Sequence, residues 1–199
     1  METQTIVDQV KNYIFDNKDI PGIEIEMRLG KSNGTFFDTN VGSKTFDRIL
    51  KALENYEGWE DKKVENTEVF YYNESGKRLT WNEETGTQVC VSKQKINHTD
   101  FTDDYVPLDL RVAVAYERPE TKPVDEDADR MIEKYRRSFI RKNLSIDMTI
   151  VSGDSHDMDD EDPKKYQVEL EIIDPSKIED EAQLFNILHK VSDIFKILA

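Results

Sequence analysis

Two segments, Ile23-Glu24-Ile25-Glu26-Met27-Arg28-Leu29-Gly30 and Val168-Glu169-Leu170-Glu171-Ile172, alternate apolar residues with charged ones in strict period two. Side chains two apart on a β-strand share a face, so Glu24, Glu26 and Arg28 point one way, and Ile23, Ile25, Met27 and Leu29 the other. The same test predicts strands at 67–72, 78–82, 87–96, 108–117, 132–140, 145–151 and 167–173, bounded by turn signals such as Glu74-Ser75-Gly76-Lys77 and Glu84-Thr85-Gly86. With the first, that makes about eight strands. Helical spacing of Ile6, Val7, Val10, Tyr13 and Ile14 predicts an N-terminal helix over about 2–15 that ends before Pro21-Gly22. Phe46, Ile49, Leu50 and Leu53 form a second apolar face behind Ser43, a candidate N-cap. A closing helix over about 177–198 carries Leu184, Leu188, Val191, Phe195 and Leu198, with Ser176-Lys177-Ile178-Glu179 as its capping box.

Strands dominate, and no repeat or composition break divides the chain, so the expected architecture is α+β and mainly antiparallel β. It is one domain over 1–199, about eight strands closed or nearly closed on themselves with helices outside. Comparing faces sharpens this. Lys134, Arg136 and Ser138 share one face; so do Lys93 and Lys95, Arg78 and Thr80, Asp147 and Thr149, and Arg111 with Ala113, Ala115 and Glu117. If these faces all point inward, the interior is hydrophilic and the apolar faces pack outward beneath helices. Such charges must be wet, mutually paired or matched to a ligand, because a buried unpaired charge costs several kcal/mol even after relaxation. Carboxylates suit a hard divalent cation, Lys and Arg suit a polyanion, and phosphate oxygens satisfy both.

Composition narrows the classes. The 199 residues are 37% hydrophobic and carry a net charge of −15, which argues against a broad basic surface gripping nucleic acid. Much of the acidity falls in two stretches, 117–129 and 153–163, read as solvated loops. No apolar run reaches a membrane span, and the N-terminus lacks the regions of a signal peptide, so a soluble intracellular protein is expected, in nucleus, cytoplasm or virion. Cys90 is the only cysteine, which excludes disulfides and cysteine zinc sites within one chain. Gly30-Lys31-Ser32 fails as a Walker A loop because Ile25 stands where its first glycine belongs. His98, His156 and His189 lack metal-ligand spacing.

The ordered set of motifs resembles the triphosphate tunnel metalloenzymes, specifically the RNA 5'-triphosphatases of fungal, protozoan and DNA-virus mRNA capping. The matching segments are 23–30, Lys134-Tyr135-Arg136-Arg137-Ser138, Ile146-Asp147-Met148-Thr149, Val168-Glu169-Leu170-Glu171, and Asp109-Leu110-Arg111-Val112 with Glu117. The family's second glutamate motif and its basic strand can each carry a third charge, where this chain has Gln167 and Ile132; Arg130 or Arg137 could replace the cation.

The resemblance implies removal of the γ-phosphate from triphosphate-ended RNA, the first step of capping, with manganese-dependent hydrolysis of nucleoside triphosphates. On this sequence it implies Glu24, Glu26 and Glu171 as ligands of Mg²⁺ or Mn²⁺, and Glu169 holding a water or positioning the nucleophile. Lys93 or Lys95, Arg78, Lys134 and Arg136 would bind phosphate. Arg28, Arg111 and Glu117 would lie at the substrate, and Asp147 and Thr149 would fix a basic side chain or a water. A guanylyltransferase, separate or fused, would be the partner. Two other readings stay open: a tunnel that hydrolyses tripolyphosphate or free nucleotides, and a noncatalytic acidic β interaction module.

Overall fold

The computed structural model describes residues 1–153 and 164–199. The acidic stretch at 153–163 therefore falls, apart from Gly153, outside the described residues. The elements run α1 (Thr3–Asn17), β1 (Ile23–Ser32), β2 (Phe37–Asp38), α2 (Ser43–Asn55), β3 (Asp61–Tyr72), β4 (Lys77–Asn82), β5 (Thr87–Phe101), β6 (Asp109–Pro119), β7 (Arg130–Arg141), β8 (Leu144–Ser152), β9 (Lys165–Ile172) and α3 (Glu181–Leu198).

Eight antiparallel strands in the order β1-β6-β5-β4-β3-β7-β8-β9 close into a barrel, because β9 pairs back onto β1 with Glu26 opposite Glu171 and Arg28 opposite Glu169. The two-residue β2 is added outside this ring, on the end of β1. Closure leaves the eight strands without an open edge where they pair.

The hydrophobic core lies outside the barrel. Ile25, Met27 and Leu29 of β1, Val112 and Val114 of β6, and Val168, Leu170 and Ile172 of β9 are buried beneath the helices. Their partners are Ile6, Val7, Val10 and Ile14 of α1, Phe46, Ile49 and Leu53 of α2, and Leu184, Leu188 and Val191 of α3. The helices add little of their own stability; each is held by its apolar stripe. α1 packs on β5 and β6, α2 on β9, and α3 seals both helices. Among the described residues no helix is long and apolar enough to cross a membrane.

Three local expectations shift. The Ser176 capping box is instead a 3₁₀ turn, Pro175–Lys177, and α3 starts at Glu181, where the Asp180 carboxylate accepts a hydrogen bond from the Gln183 N–H at 2.8 Å. Ser43 is the first helical residue of α2, behind Gly42. β3 begins at Asp61 and not near Thr67, because Asp61-Lys62-Lys63-Val64-Glu65-Asn66 is polar on both faces and shows no alternation, yet pairs residue for residue with β7.

Gly30 ends the inward row of β1 at a place with no room for a side chain. A Cβ there would collide with the Asp38 carbonyl oxygen and stand 2.7 Å from the Phe37 ring. Gly30→Ala is expected to destabilise the fold by about 2 kcal/mol, the cost of overpacking a rigid backbone contact. Urea denaturation would check it; an unchanged midpoint would mean that β2 is free to move away.

Candidate active site

The inward faces enclose a cavity of about 370 Å³. Its charged lining consists of six carboxylates, Glu24, Glu26, Glu65, Glu117, Glu169 and Glu171, against five cations, Arg28, Arg78, Lys93, Lys134 and Arg136. Strand pleat explains the convergence: each residue sits at an inward position of its strand, and the barrel brings seven such strands around one lumen.

The groups form a linked network. Arg28 lies 2.7 Å from Glu26 (Nη2 to Oε1) and 3.0 Å from Glu169 (Nε to Oε1). Lys93 touches Glu24 and sits 3.4 Å from Glu26 and 3.9 Å from Glu117. Arg78 donates to Glu117 at 2.6 Å, while its Nε is buried without a hydrogen bond. Arg136 reaches Glu169 at 3.9 Å and is held from behind by Asp147, 3.5 Å away, and by the Thr149 hydroxyl, which accepts from Nε at 3.2 Å. The Ser145 hydroxyl fixes Asp147 in turn, at 2.6 Å.

The balance of this network is uneven in two places. Burial, with Glu24 and Asp147 nearby, pushes the Glu171 carboxyl up to about 7, and Arg136 only partly offsets it. Burial also pushes Glu26 up, against the pull of Arg28. In the opposite sense, burial lowers Lys134 to about 8; Glu169 opposes this, while Arg136, Arg78 and Arg28 add to it. Burial alone would raise Glu169, but Arg28, Arg136, Lys134 and Lys93 hold it below the usual carboxylate range. Thus burial outweighs the neighbouring opposite charge at both Glu171 and Lys134.

The residues expected to meet in one site do so with four exceptions. Asp147 and Thr149 stand behind Arg136 and do not line the cavity. Arg111 is bound through two nitrogens to Asp100, at 2.6 and 2.7 Å, and lies over the Phe37 ring at 4.7 Å, so its donors are occupied away from the lumen. Lys95 is exposed and absent from the cavity lining, with Nζ 3.5 Å from His98 Nε2, just before the β5 ladder slips by one residue between Lys95 and Asn97. The two missing charges also find explanations: Gln167 donates to Thr39 Oγ1 at 3.0 Å, and Ile132 packs with Val69 and Val151. Arg137 faces outward to Glu54, and Arg130 lies over the Tyr71 ring.

Sequence reasoning missed Glu65, Thr67, Val69, Asn82, Thr87 and Val89 in the lining. Glu65 lies on the part of β3 that has no apolar face, and the uncharged residues carry no chemical signal of their own.

A family match to "mRNA capping enzyme, beta chain" covers residues 44–198. The chain belongs to this family. Among solved structures, S. pombe Pct1 RNA triphosphatase aligns with TM-score 0.78 at 17% identity, covering 98% of this chain and 91% of that one. The Mimivirus capping enzyme triphosphatase aligns with TM-score 0.66 at 16% identity, covering 98% and 97%. At these identities the likeness speaks for the shared tunnel fold. Among curated proteins, none matches in sequence.

The capping-enzyme beta-chain family is linked to a divalent cation, and the donors here can be tested for it. Among the described residues no three carboxylates form a ready-made cage, since Arg28 and Lys93 occupy Glu24 and Glu26. Yet Glu24 Oε2 is buried without a well-formed hydrogen bond although Lys93 lies against it, and Glu171 stands among carboxylates with its charge poorly compensated. Hard oxygen donors on adjacent strands fit such an ion.

A stability consequence follows from the raised carboxyl. Because Glu171 binds its proton more tightly folded than unfolded, its ionisation disfavours the native state as pH rises from about 4.5 through about 7. At pH 8 without divalent cation, Glu171→Gln is therefore expected to be more stable than wild type by about 2 kcal/mol, with the gap gone at pH 4. Denaturation at both pH values would check this, and equal stability at pH 8 would refute the crowding.

Proposed function

We propose that the chain is a metal-dependent RNA 5'-triphosphatase that removes the γ-phosphate of triphosphate-ended RNA, and that it also hydrolyses nucleoside triphosphates. The observation that carries this is the convergence in one lumen of Glu24, Glu26, Glu169 and Glu171 with Lys134, Arg136 and Arg78, where burial outweighs the local opposite charge at Glu171 on β9 and at Lys134 on β7. A divalent cation with a chain of phosphates would compensate both at once, whereas either alone would correct only one.

Glu24, Glu26 and Glu171 are the side chains that would hold Mg²⁺ or Mn²⁺. When bound, such an ion supplies Lewis acidity toward phosphoryl oxygens and fixes the ligand's position. The chain's own groups do the rest. Lys134, Arg136 and Arg78 bind non-bridging phosphate oxygens and stabilise charge that spreads over them in the transition state. Among the described residues Lys134 makes no hydrogen bond or salt bridge, so its three donors are available to phosphate. The buried Arg78 Nε is likewise unsatisfied. Arg136 is oriented by Asp147 and Thr149, so its guanidinium enters the lumen already ordered. Glu169, kept ionised by its cationic neighbours, would orient a water for in-line attack. Lys93 and Arg28 hold the glutamates until ligand arrives, then turn toward phosphate.

Hydrolysis leaves a diphosphate end, the substrate form for guanylyl transfer, so a guanylyltransferase, separate or fused, is the partner the reaction calls for. A further structure of S. pombe Pct1 is in complex with the Spt5 CTD; a comparable partner for this chain is part of the proposal, with the activity acting in the nucleus or, for a viral protein, in the cytoplasm or virion.

The direct test is phosphate release from triphosphate-ended RNA, ATP and inorganic tripolyphosphate with Mg²⁺ or Mn²⁺. Turnover of RNA and ATP is expected, and Glu24→Ala, Glu171→Ala and Arg136→Ala should each lower it at least about 100-fold while the fold survives. A strong preference for tripolyphosphate would replace the RNA assignment with the second reading, and no turnover of any of the three would leave an interaction module.

Lys134 adds a pH signature. Its lowered value means that the free protein loses this charge above about pH 8, so polyphosphate binding there requires uptake of a proton. Affinity for tripolyphosphate should fall by up to about tenfold per pH unit above 8 in wild type, and less steeply in Lys134→Arg, which stays charged. Parallel decline in both proteins would assign the titration to another group.

A further inference from the structure

The cavity is charged over most of its lining and uncharged over one sector. Thr80 and Asn82 of β4, Thr67 of β3, and Thr87 and Val89 of β5 make up most of that sector. In the closed order β4 stands four strands from β9 in either direction, so this sector faces the Glu169–Glu171 wall across the lumen. Exposure rises toward it. Of all the lining residues only Glu65, Thr87 and Val89 are exposed, Val89 to 56%. The lumen therefore opens to solvent along β3 and the start of β5, beside the hairpin that joins β4 to β5.

A triphosphate alone has no use for this sector, since its oxygens are better served by the charged wall. A polymer with a triphosphate at its end must enter leading group first and leave its remaining length outside, and the unit that straddles the rim is the first nucleoside. The rim has the chemistry for one: among the described residues the Thr67 and Thr80 hydroxyls and the Asn82 Nδ2 make no hydrogen bond, while Asn82 Oδ1 accepts from the Thr85 N–H at 3.2 Å and so holds the amide in place. Val89 offers an apolar surface beside them. We propose that this uncharged rim is a nucleoside subsite, in which Thr80 and Asn82 hydrogen-bond the sugar and base edge of the first nucleotide and Val89 packs against it, while Thr87, whose hydroxyl is bound to that of Thr85, helps hold the hairpin. The rim would thus distinguish nucleoside-bearing triphosphates from inorganic polyphosphate in a tunnel whose charged half treats them alike. The inference rests on the RNA triphosphatase reading above.

The test uses Asn82→Ala and Thr80→Val with the full chain, each first shown to unfold at the wild-type urea midpoint. KM and kcat are measured for triphosphate-ended RNA and ATP, together with the inhibition constant of inorganic tripolyphosphate against RNA. The expected result is a rise in KM for RNA and ATP of roughly tenfold in the double variant, with kcat within twofold and the tripolyphosphate constant unchanged. Unchanged KM values, or a tripolyphosphate constant that rises in parallel, would overturn the subsite while leaving the triphosphatase reading intact. A wild-type protein that releases no phosphate from RNA or ATP would overturn that reading and this inference with it.

Discussion

A barrel that turns charged faces inward has to compensate those charges within a space where water is scarce, and this constraint governs the rest of the structure. Each ion taken from water costs several kcal/mol unless a partner restores its interactions. The lumen responds with near neutrality, six carboxylates to five cations, and with shared partners in place of isolated pairs. Arg28 bridges Glu26 and Glu169, and Lys93 spans Glu24, Glu26 and Glu117. Compensation is incomplete at Glu171 and Lys134, and those two groups are where a ligand of mixed charge gains most. Perturbed groups in a cleft often mark function, and here the perturbations have opposite signs on opposite kinds of group.

Inverting the barrel moves the hydrophobic core to its outside, which explains why three helices are needed. β1, β6, β8 and β9 present apolar outer faces that would otherwise meet water, and α1, α2 and α3 cover them as one layer. Helix cover stops short of β3 and β4. There the outward Val64 is 55% exposed, the small cluster of Val69, Ile132 and Val151 adds to the strand pairing, and the lumen opens to solvent. The covered wall supplies the rigid carboxylates and the uncovered wall the entrance, so the asymmetry of the core sets the polarity of the tunnel.

This division also explains what could be read from the sequence. Strands under helices must carry one apolar and one charged face, so period two is unmistakable in Ile23-Glu24-Ile25-Glu26 and Val168-Glu169-Leu170-Glu171, and the inward residues follow by parity. Strand 61–66 lies between lumen and solvent, both polar, and leaves no alternation; Glu65 was hidden with it. Parity also gives a face and not a position along the barrel. Nothing local tells that Lys95 would lie outside the cavity beside His98, or that Arg111 would meet Asp100 eleven residues away across the β5–β6 connection. The outer edge of the site, lined by uncharged side chains, is the part least visible in composition.

Stability and chemistry pull in different directions at the same atoms. A protein selected only to fold would replace Glu171 with a neutral residue and would pair Lys134, since both changes relieve unfavourable burial. On the proposed function, these two poorly compensated groups would store a driving force released when cation and polyphosphate arrive together, which would couple occupancy to correct composition. A ligand with metal but too few phosphates would leave Lys134 unsatisfied, and one with phosphates but no metal would add negative charge beside Glu171. On that reading the tunnel would recognise the pair by what it lacks, and Asp147 and Thr149, which hold Arg136 from behind, would limit the turning of that guanidinium toward other carboxylates.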